Sequence, residues 1–157
     1  MKIIKIFFLS LIVFLLQSTV VQKIALNDVI PNVNLIVLVL IAIYYNNKTI
    51  LLYSLMSGLI QDLYTSPYIG INIMIYIVIS LLLIRFESAF NKTNIISPIF
   101  LISMATSLYN IMYFVILKVL NLNFNVYRLF DILIIQLTLN VILGIIIFKL
   151  TQKEISR

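Results

Sequence analysis

Six apolar runs, separated by short polar stretches, dominate the pattern of the chain. The lengths of most runs approach the roughly 20 residues that a transmembrane helix requires. We therefore predict an all-α fold, a polytopic transmembrane bundle of six helices (five as the alternative), in a single domain over residues 1–157. The predicted helices cover residues 6–21, 31–45, 49–62, 70–85, 97–120 and 129–150.

The second and third runs are the least certain spans. From residue 50 to 61 the apolar run measures roughly 18 Å at 1.5 Å per residue, against a hydrocarbon core of about 30 Å. Either these helices extend past their polar ends, or they form a partly inserted hairpin. We expect full spans, with Pro31 in the first turn of the second helix and Asp62 buried at membrane depth.

The first run follows two lysines and could be a signal peptide, but residues 17–22 make a poor cleavage site. We interpret it as an uncleaved helix. With six spans, the basic residues divide eight against three, and the positive-inside rule places the larger group in the cytoplasm. Both termini are then cytoplasmic in a multi-pass membrane protein. The larger group is Lys2, Lys5, Lys48, Arg85, Lys92, Lys149, Lys153 and Arg157, and the smaller is Lys23, Lys118 and Arg128.

Composition agrees with a lipid environment, because 63% of the residues are hydrophobic and only 10% are charged, against about 25% charged in soluble domains. The net charge of +6 does not indicate nucleic-acid binding, since the basic residues lie singly at the ends of apolar runs. They are placed to contact membrane lipid. The chain has no Cys and no His, which excludes thiol, imidazole and zinc chemistry. We predict a non-enzyme without cofactor or metal.

Small and polar residues recur at helical spacing within the apolar runs. In lipid, such residues mark the faces where helices touch, and this interpretation is favoured over a ligand cavity. We predict partner or structural contacts at nine of these positions: Ser54, Gly58, Asp62, Gly70, Asn72, Tyr76, Gln136, Asn140 and Gly144.

Asp62 is the most informative of these residues, because a charged group at membrane depth costs about 3 kcal/mol on insertion scales. It is either a proton or cation relay, a partner contact, or a cap hydrogen-bonded to the loop at Thr65 and Ser66. We favour the cap, since the same helix carries no second titratable group within a turn or two on the same face. A capping role predicts that Asp62→Asn preserves hydrogen bonding, protein level and function.

The centre of the chain resembles the MreD family of bacterial rod-shape proteins. The resemblance lies in Gly-Leu-Ile-Gln-Asp-Leu at residues 58–63, Tyr-Ile-Gly-Ile-Asn at 68–72, and Tyr76. It implies a non-catalytic membrane scaffold of the elongasome, which acts in peptidoglycan synthesis and cell shape. The implied partners are an MreC-like single-span protein and, indirectly, MreB, RodA and a class B penicillin-binding protein.

The resemblance also implies a fold like that of the substrate-binding subunits of energy-coupling-factor transporters, and this gives the alternative function. Such a subunit would enclose a small ligand and would usually show an Ala-x-x-x-Ala-like pair on its first helix. The nearest pair here is Ser10 and Phe14. A third class, a proton-coupled channel or exporter, would rest on Asp62 alone.

Overall fold

The computed structural model describes residues 3–65, 68–86, 94–120 and 126–155. Within these ranges the protein is built from six α-helices and no β-strand, which confirms the all-α class and the predicted number of helices. Outside the description lie residues 66–67, 87–93, 121–125 and both chain ends. The helices are α1 (Ile3–Thr19), α2 (Val33–Tyr44), α3 (Asn47–Thr65), α4 (Ile71–Arg85), α5 (Ile96–Val119) and α6 (Val126–Ile155).

The connection between α1 and α2 is a 3-10 turn, Val21–Ile24, followed by a tight reversal. Leu26 and Val29 exchange two backbone hydrogen bonds of 3.1 and 2.8 Å. The two residues between them, Asn27 and Asp28, have φ values of 49° and 63°. Two successive positive φ angles define a type I′ turn, and Asn and Asp tolerate them better than most residues.

Helix α2 begins at Val33, so the expectation that Pro31 lies in its first turn is wrong. The reason is Asn32, which is the N-cap: its side-chain oxygen accepts a hydrogen bond of 3.1 Å from the backbone N–H of Leu35. Asn is among the strongest N-capping residues, and a cap has non-helical backbone angles. Pro31 therefore precedes the cap instead of entering the helix.

Helix α2 occupies the centre of the bundle, where it contacts all five other helices. Nine of its 12 residues are buried, which is typical of a helix that is apolar all round. Its length of roughly 18 Å is shorter than a bilayer core. Because neighbouring helices and loops surround it, protein rather than lipid contacts most of its surface.

Helix α3 has 19 residues and extends past both polar ends of its apolar run, to roughly 28 Å. The expectation that the second and third helices extend past their polar ends therefore holds for α3 and not for α2. Two helical segments are long and apolar enough to cross a membrane by length and composition, namely Ile96–Val119 and Arg128–Lys153. The shorter apolar helices are α1, α2 and α4.

Candidate functional site

The Asp62 carboxylate, near the end of α3, caps the beginning of α4. Its Oδ1 accepts hydrogen bonds from the backbone N–H and from the Nδ2 of Asn72, at 2.8 and 2.9 Å. Its Oδ2 accepts from the backbone N–H of Gly70 at 2.8 Å and of Ile73 at 3.2 Å. The side chain is only 2% exposed. Four N–H donors and the positive end of the α4 dipole thus compensate one buried negative charge.

The cap comes from another helix because the N-cap residue of α4 is a glycine. Gly70 has φ 112°, a left-handed conformation that residues with a Cβ rarely adopt, and it provides no side-chain oxygen. Asp62 supplies that oxygen from eight residues earlier. The favoured capping role agrees with this geometry, although the partners are α4 groups. Ser66 and the side chain of Thr65, which were expected to be the partners, lie outside the described residues.

Asn72 links the cap to a buried cluster of phenol and amide groups. Its Oδ1 accepts a hydrogen bond of 2.7 Å from the hydroxyl of Tyr109 on α5. The Tyr109 oxygen also accepts from Gln61 Nε2 at 3.3 Å, and the Tyr76 hydroxyl donates to Gln61 Oε1 at 2.6 Å. All four side chains are buried. The end of α3, the start of α4 and the middle of α5 are thereby joined by polar contacts.

Asn32 extends this network to α2 and α6. Its Oδ1 lies 3.0 Å from the Tyr76 hydroxyl, and its backbone N–H donates to Asn140 Oδ1 at 2.8 Å. Asn140 Nδ2 in turn donates to Thr106 Oγ1 on α5 at 3.0 Å. A helix start buried in the bundle needs partners for its free N–H groups, and Asn140 provides one of them.

Gln136 closes the network between α5, α6 and the segment before α2. Its Oε1 accepts from Asn110 Nδ2 at 2.7 Å, and its Nε2 donates to the backbone oxygen of Ile30 at 3.0 Å. Six predicted positions therefore belong to one hydrogen-bonded network, which we call the polar network. Those six are Asp62, Gly70, Asn72, Tyr76, Gln136 and Asn140.

The other three predicted positions lie where helices approach closely. A Cβ at Gly58 would lie 2.7 Å from the Cα and 2.9 Å from the N of Ile73, so α3 and α4 meet backbone to backbone there. One turn earlier, Ser54 Oγ lies 3.4 Å from the Oγ of Ser80. Gly144 on α6 faces the side-chain tip of Ile102 on α5.

The nine predicted positions leave out three central members of the polar network, namely Asn32, Gln61 and Tyr109. Asn32 precedes an apolar run, and Asn in that place is an N-cap signal. Tyr109 is only 8% exposed and donates to Asn72. Its place three residues after Thr106, on the same helix face, was the available signal for an inward position.

The chemistry available to the polar network is that of neutral hydrogen bonding around one carboxylate. Between Asp62 and Tyr76 the path runs through Asn72, Tyr109 and Gln61. The Asn and Gln amides in this path neither gain nor lose a proton as acids or bases at ordinary pH. Among the described residues no group of three or more Cys, His, Asp or Glu side chains is placed to hold a metal ion. The geometry therefore favours a structural role over proton transfer.

Comparison with known proteins identifies a family over nearly the whole chain. A family model described as rod shape-determining protein MreD matches residues 1–154. No curated protein and no solved structure matches the chain. The matched range contains α1 to α5, all but the last residue of α6, and every member of the polar network.

Proposed function

The chain belongs to the MreD family of rod shape-determining proteins, and from this we propose that it is a non-catalytic scaffold of the cell-elongation complex. Family membership gives it a role in rod-shape determination and makes it a membrane protein. The scaffold role is the finer step. It means that the protein acts by binding partner proteins in the membrane, and that its polar residues stabilise the shape of the bundle.

The observation that carries the proposal is the inward use of the polar groups. Each of the nine candidate positions contacts another part of the same chain. The two Asp62 carboxylate oxygens accept four hydrogen bonds, and all four donors lie on α4 or at Gly70 directly before it. Buried groups satisfied in this way hold the helices in one arrangement. Partner contacts are then left to the outer, apolar helix faces.

The outward row on α6 is the face that we propose for the partner helix. Helix α6 has 30 residues, or roughly 45 Å, and large apolar side chains recur on it every four residues. Thr138 lies within this row and donates to the backbone oxygen of Ile135 at 2.8 Å, so it needs no outside partner. Its small size would let another helix approach closely. The row is Phe130, Ile134, Thr138, Ile142, Ile146 and Leu150.

The partner in this proposal is the MreC-like protein with a single membrane span that the family resemblance implies, because one apolar helix can pack against part of this row. MreB, RodA and a class B penicillin-binding protein would be reached indirectly. We further propose that the six helices form one domain in the bacterial cytoplasmic membrane, with both termini in the cytoplasm. The charge distribution along the chain supports this orientation.

The transporter alternative receives no support from the comparisons. Neither does the expected likeness to the substrate-binding subunits of energy-coupling-factor transporters, because no solved structure matches. The family match is to a shape-determining protein. We therefore carry only the scaffold function forward.

The test combines depletion with site-specific crosslinking in a rod-shaped host. Depletion should round and widen the cells, and a wild-type copy should restore rods. A photo-crosslinking residue in place of Ile142 should capture a single-span membrane protein. The same residue in place of Val78, an outward position on α4, serves as the matched control and should capture much less. Normal rods after full depletion, or equal capture at both positions, would count against the scaffold proposal.

A further inference from the structure

A pocket of about 250 Å³ lies beside the polar network, where α2 begins and α6 approaches α5. This volume corresponds to about eight water molecules at liquid density and is slightly below that of a typical drug-sized site. Most of its lining is polar, which is unusual in a chain this apolar. The polar lining residues are Gln17, Asp28, Asn32, Gln61, Tyr109 and Gln136.

Asn32 presents an unused donor to this pocket. Its Oδ1 accepts from the backbone N–H of Leu35 at 3.1 Å, which fixes the identity of the amide oxygen, and it lies 3.0 Å from the Tyr76 hydroxyl. Its Nδ2 has no partner among the described residues, although the side chain is only 2% exposed. Within the described chain, the one fully enclosed polar side-chain atom without a partner is the Tyr44 hydroxyl. The Asn32 Nδ2 is therefore reachable from the pocket that Asn32 lines.

Gln17 and Asp28 add a second donor and an acceptor. The Gln17 Oε1 accepts from the backbone N–H of Asn34 at 3.1 Å and from its Nδ2 at 3.4 Å. Its Nε2 is left without a partner in the described part of the chain. Asp28 is exposed at the pocket mouth. Two amide donors suit hydroxyl or carbonyl oxygens, and the carboxylate suits a hydroxyl or amide N–H.

The lining contains no Lys or Arg, so the pocket itself offers an anionic group such as a phosphate no compensating charge. Arg128 lines a neighbouring pocket, which shares Val29 and Ile132 with this one and also contains Asp131.

A second pocket of about 230 Å³ lies next to it between α5 and α6, and most of its lining is aromatic or aliphatic. Both pockets are lined by Tyr109, Ile132 and Gln136. The second pocket adds Tyr113, Phe114, Leu117 and Leu129, among others. A polar pocket beside an apolar groove suits a molecule with a polar head and a hydrocarbon chain.

We propose that these two pockets form a binding site for a lipid with an uncharged, hydroxyl-bearing headgroup of about one sugar ring. The headgroup occupies the polar pocket, where Asn32 Nδ2 and Gln17 Nε2 donate to its oxygens and Asp28 accepts from a hydroxyl. The chain follows the groove between α5 and α6. This site is independent of the partner surface proposed on the outward row of α6.

The test measures lipid retention by the purified protein in nanodiscs, with native mass spectrometry as the readout. The probes are monoglucosyl diacylglycerol, the same diacylglycerol without sugar, and phosphatidylglycerol. We expect the glucosyl lipid to be retained about tenfold more strongly than either comparison lipid, as two or three additional hydrogen bonds would give. Equal retention of the three lipids would overturn the proposal.

Two variants locate the site. Ile132→Phe places a larger side chain in the wall shared by both pockets and should lower retention of the glucosyl lipid about tenfold. Ile111→Phe, the same change at an exposed position on α5 that lines neither pocket, is the matched control and should have no effect. Asp28→Asn keeps a residue that tolerates positive φ and should weaken retention about threefold. Unchanged retention in both Ile132→Phe and Asp28→Asn would refute the assignment.

A second measurement, with free glucose as the ligand, shows whether the site recognises a free sugar or only a sugar that is attached to a lipid. If glucose alone raises the unfolding midpoint of the wild-type protein but not of Ile132→Phe, the polar pocket suffices for recognition. If only the glucosyl lipid does so, the groove is required as well. Either result supports the site, whereas a rise of the same size in wild type and Ile132→Phe contradicts it.

Discussion

At the scale of single residues, the connection between α3 and α4 depends on two residues with different roles, Gly70 and Asp62. Gly70 permits the left-handed turn that begins α4, and Asp62 supplies the capping oxygens that glycine lacks. A carboxylate is suited to this position because all four groups that face it are donors. An amide can accept through only one of its two terminal atoms.

This geometry changes the expectation for Asp62→Asn. The new amide would turn its NH₂ group toward two N–H donors, leaving them unsatisfied in a buried site. We expect a loss of about 2 to 4 kcal/mol in the free energy of unfolding. Reduced protein level in cells should accompany it.

The measurement is steady-state abundance together with unfolding in mixed micelles, with Asp131→Asn as the control. Asp131 is exposed on α6, so its substitution should change stability by less than about 0.5 kcal/mol. Full abundance of Asp62→Asn combined with failure to restore cell shape would instead indicate a relay function for the carboxylate.

The importance of Asp62 was predictable from sequence, but its partners were not. A lone acid in an apolar run must be compensated, and this argument needs no structure. The partners depend on how the chain folds back after α3, which brings Gly70, Asn72 and Ile73 to the carboxylate. Spacing along one helix does not contain that information.

At the scale of helices, α3 and α4 approach each other closely at Gly58. Any side chain there would meet the backbone of Ile73, which cannot move without moving α4. At Gly144 the obstacle is the end of the Ile102 side chain, which can adopt another rotamer. The two glycines therefore offer a matched comparison between a rigid and a flexible neighbour.

We expect Gly58→Ala to lower the free energy of unfolding by about 1 to 2 kcal/mol, because overpacking outweighs the better helix propensity of Ala. For Gly144→Ala the rotamer cost and the propensity gain should nearly cancel, with a net change below about 0.5 kcal/mol. Unfolding of both variants in mixed micelles measures the difference. Equal losses of unfolding free energy in the two variants would show that the α4 backbone moves as easily as the Ile102 side chain.

Periodicity predicted the six helices to within a few residues at most ends, but α2 is shorter than the full span that we expected for it. The mostly apolar character of α2 was visible in the sequence and is typical of a central helix. In the structure the polar caps at Asn32 and Tyr45 end it, and five neighbouring helices surround it.

At the scale of the whole molecule, the orientation in the membrane is open to a direct test. The chain has no native Cys, so a single introduced thiol is labelled without background. Gln22 and Asn47 are exposed amide residues that flank α2. With both termini cytoplasmic, Gln22→Cys should react with a membrane-impermeant reagent in intact cells, and Asn47→Cys should react only after permeabilisation. The reverse pattern would invert the proposed topology.

The central position of α2 has a consequence for the order of events during synthesis. The hydrogen bond between Asn32 and Asn140 joins residues 108 positions apart. At about 5 to 20 residues per second, a ribosome needs roughly 5 to 20 s to travel that distance. Throughout this interval α2 has emerged without α6, and its first turn lacks the oxygen of Asn140. In the nascent chain, α2 therefore stays incompletely enclosed until α6 enters the membrane.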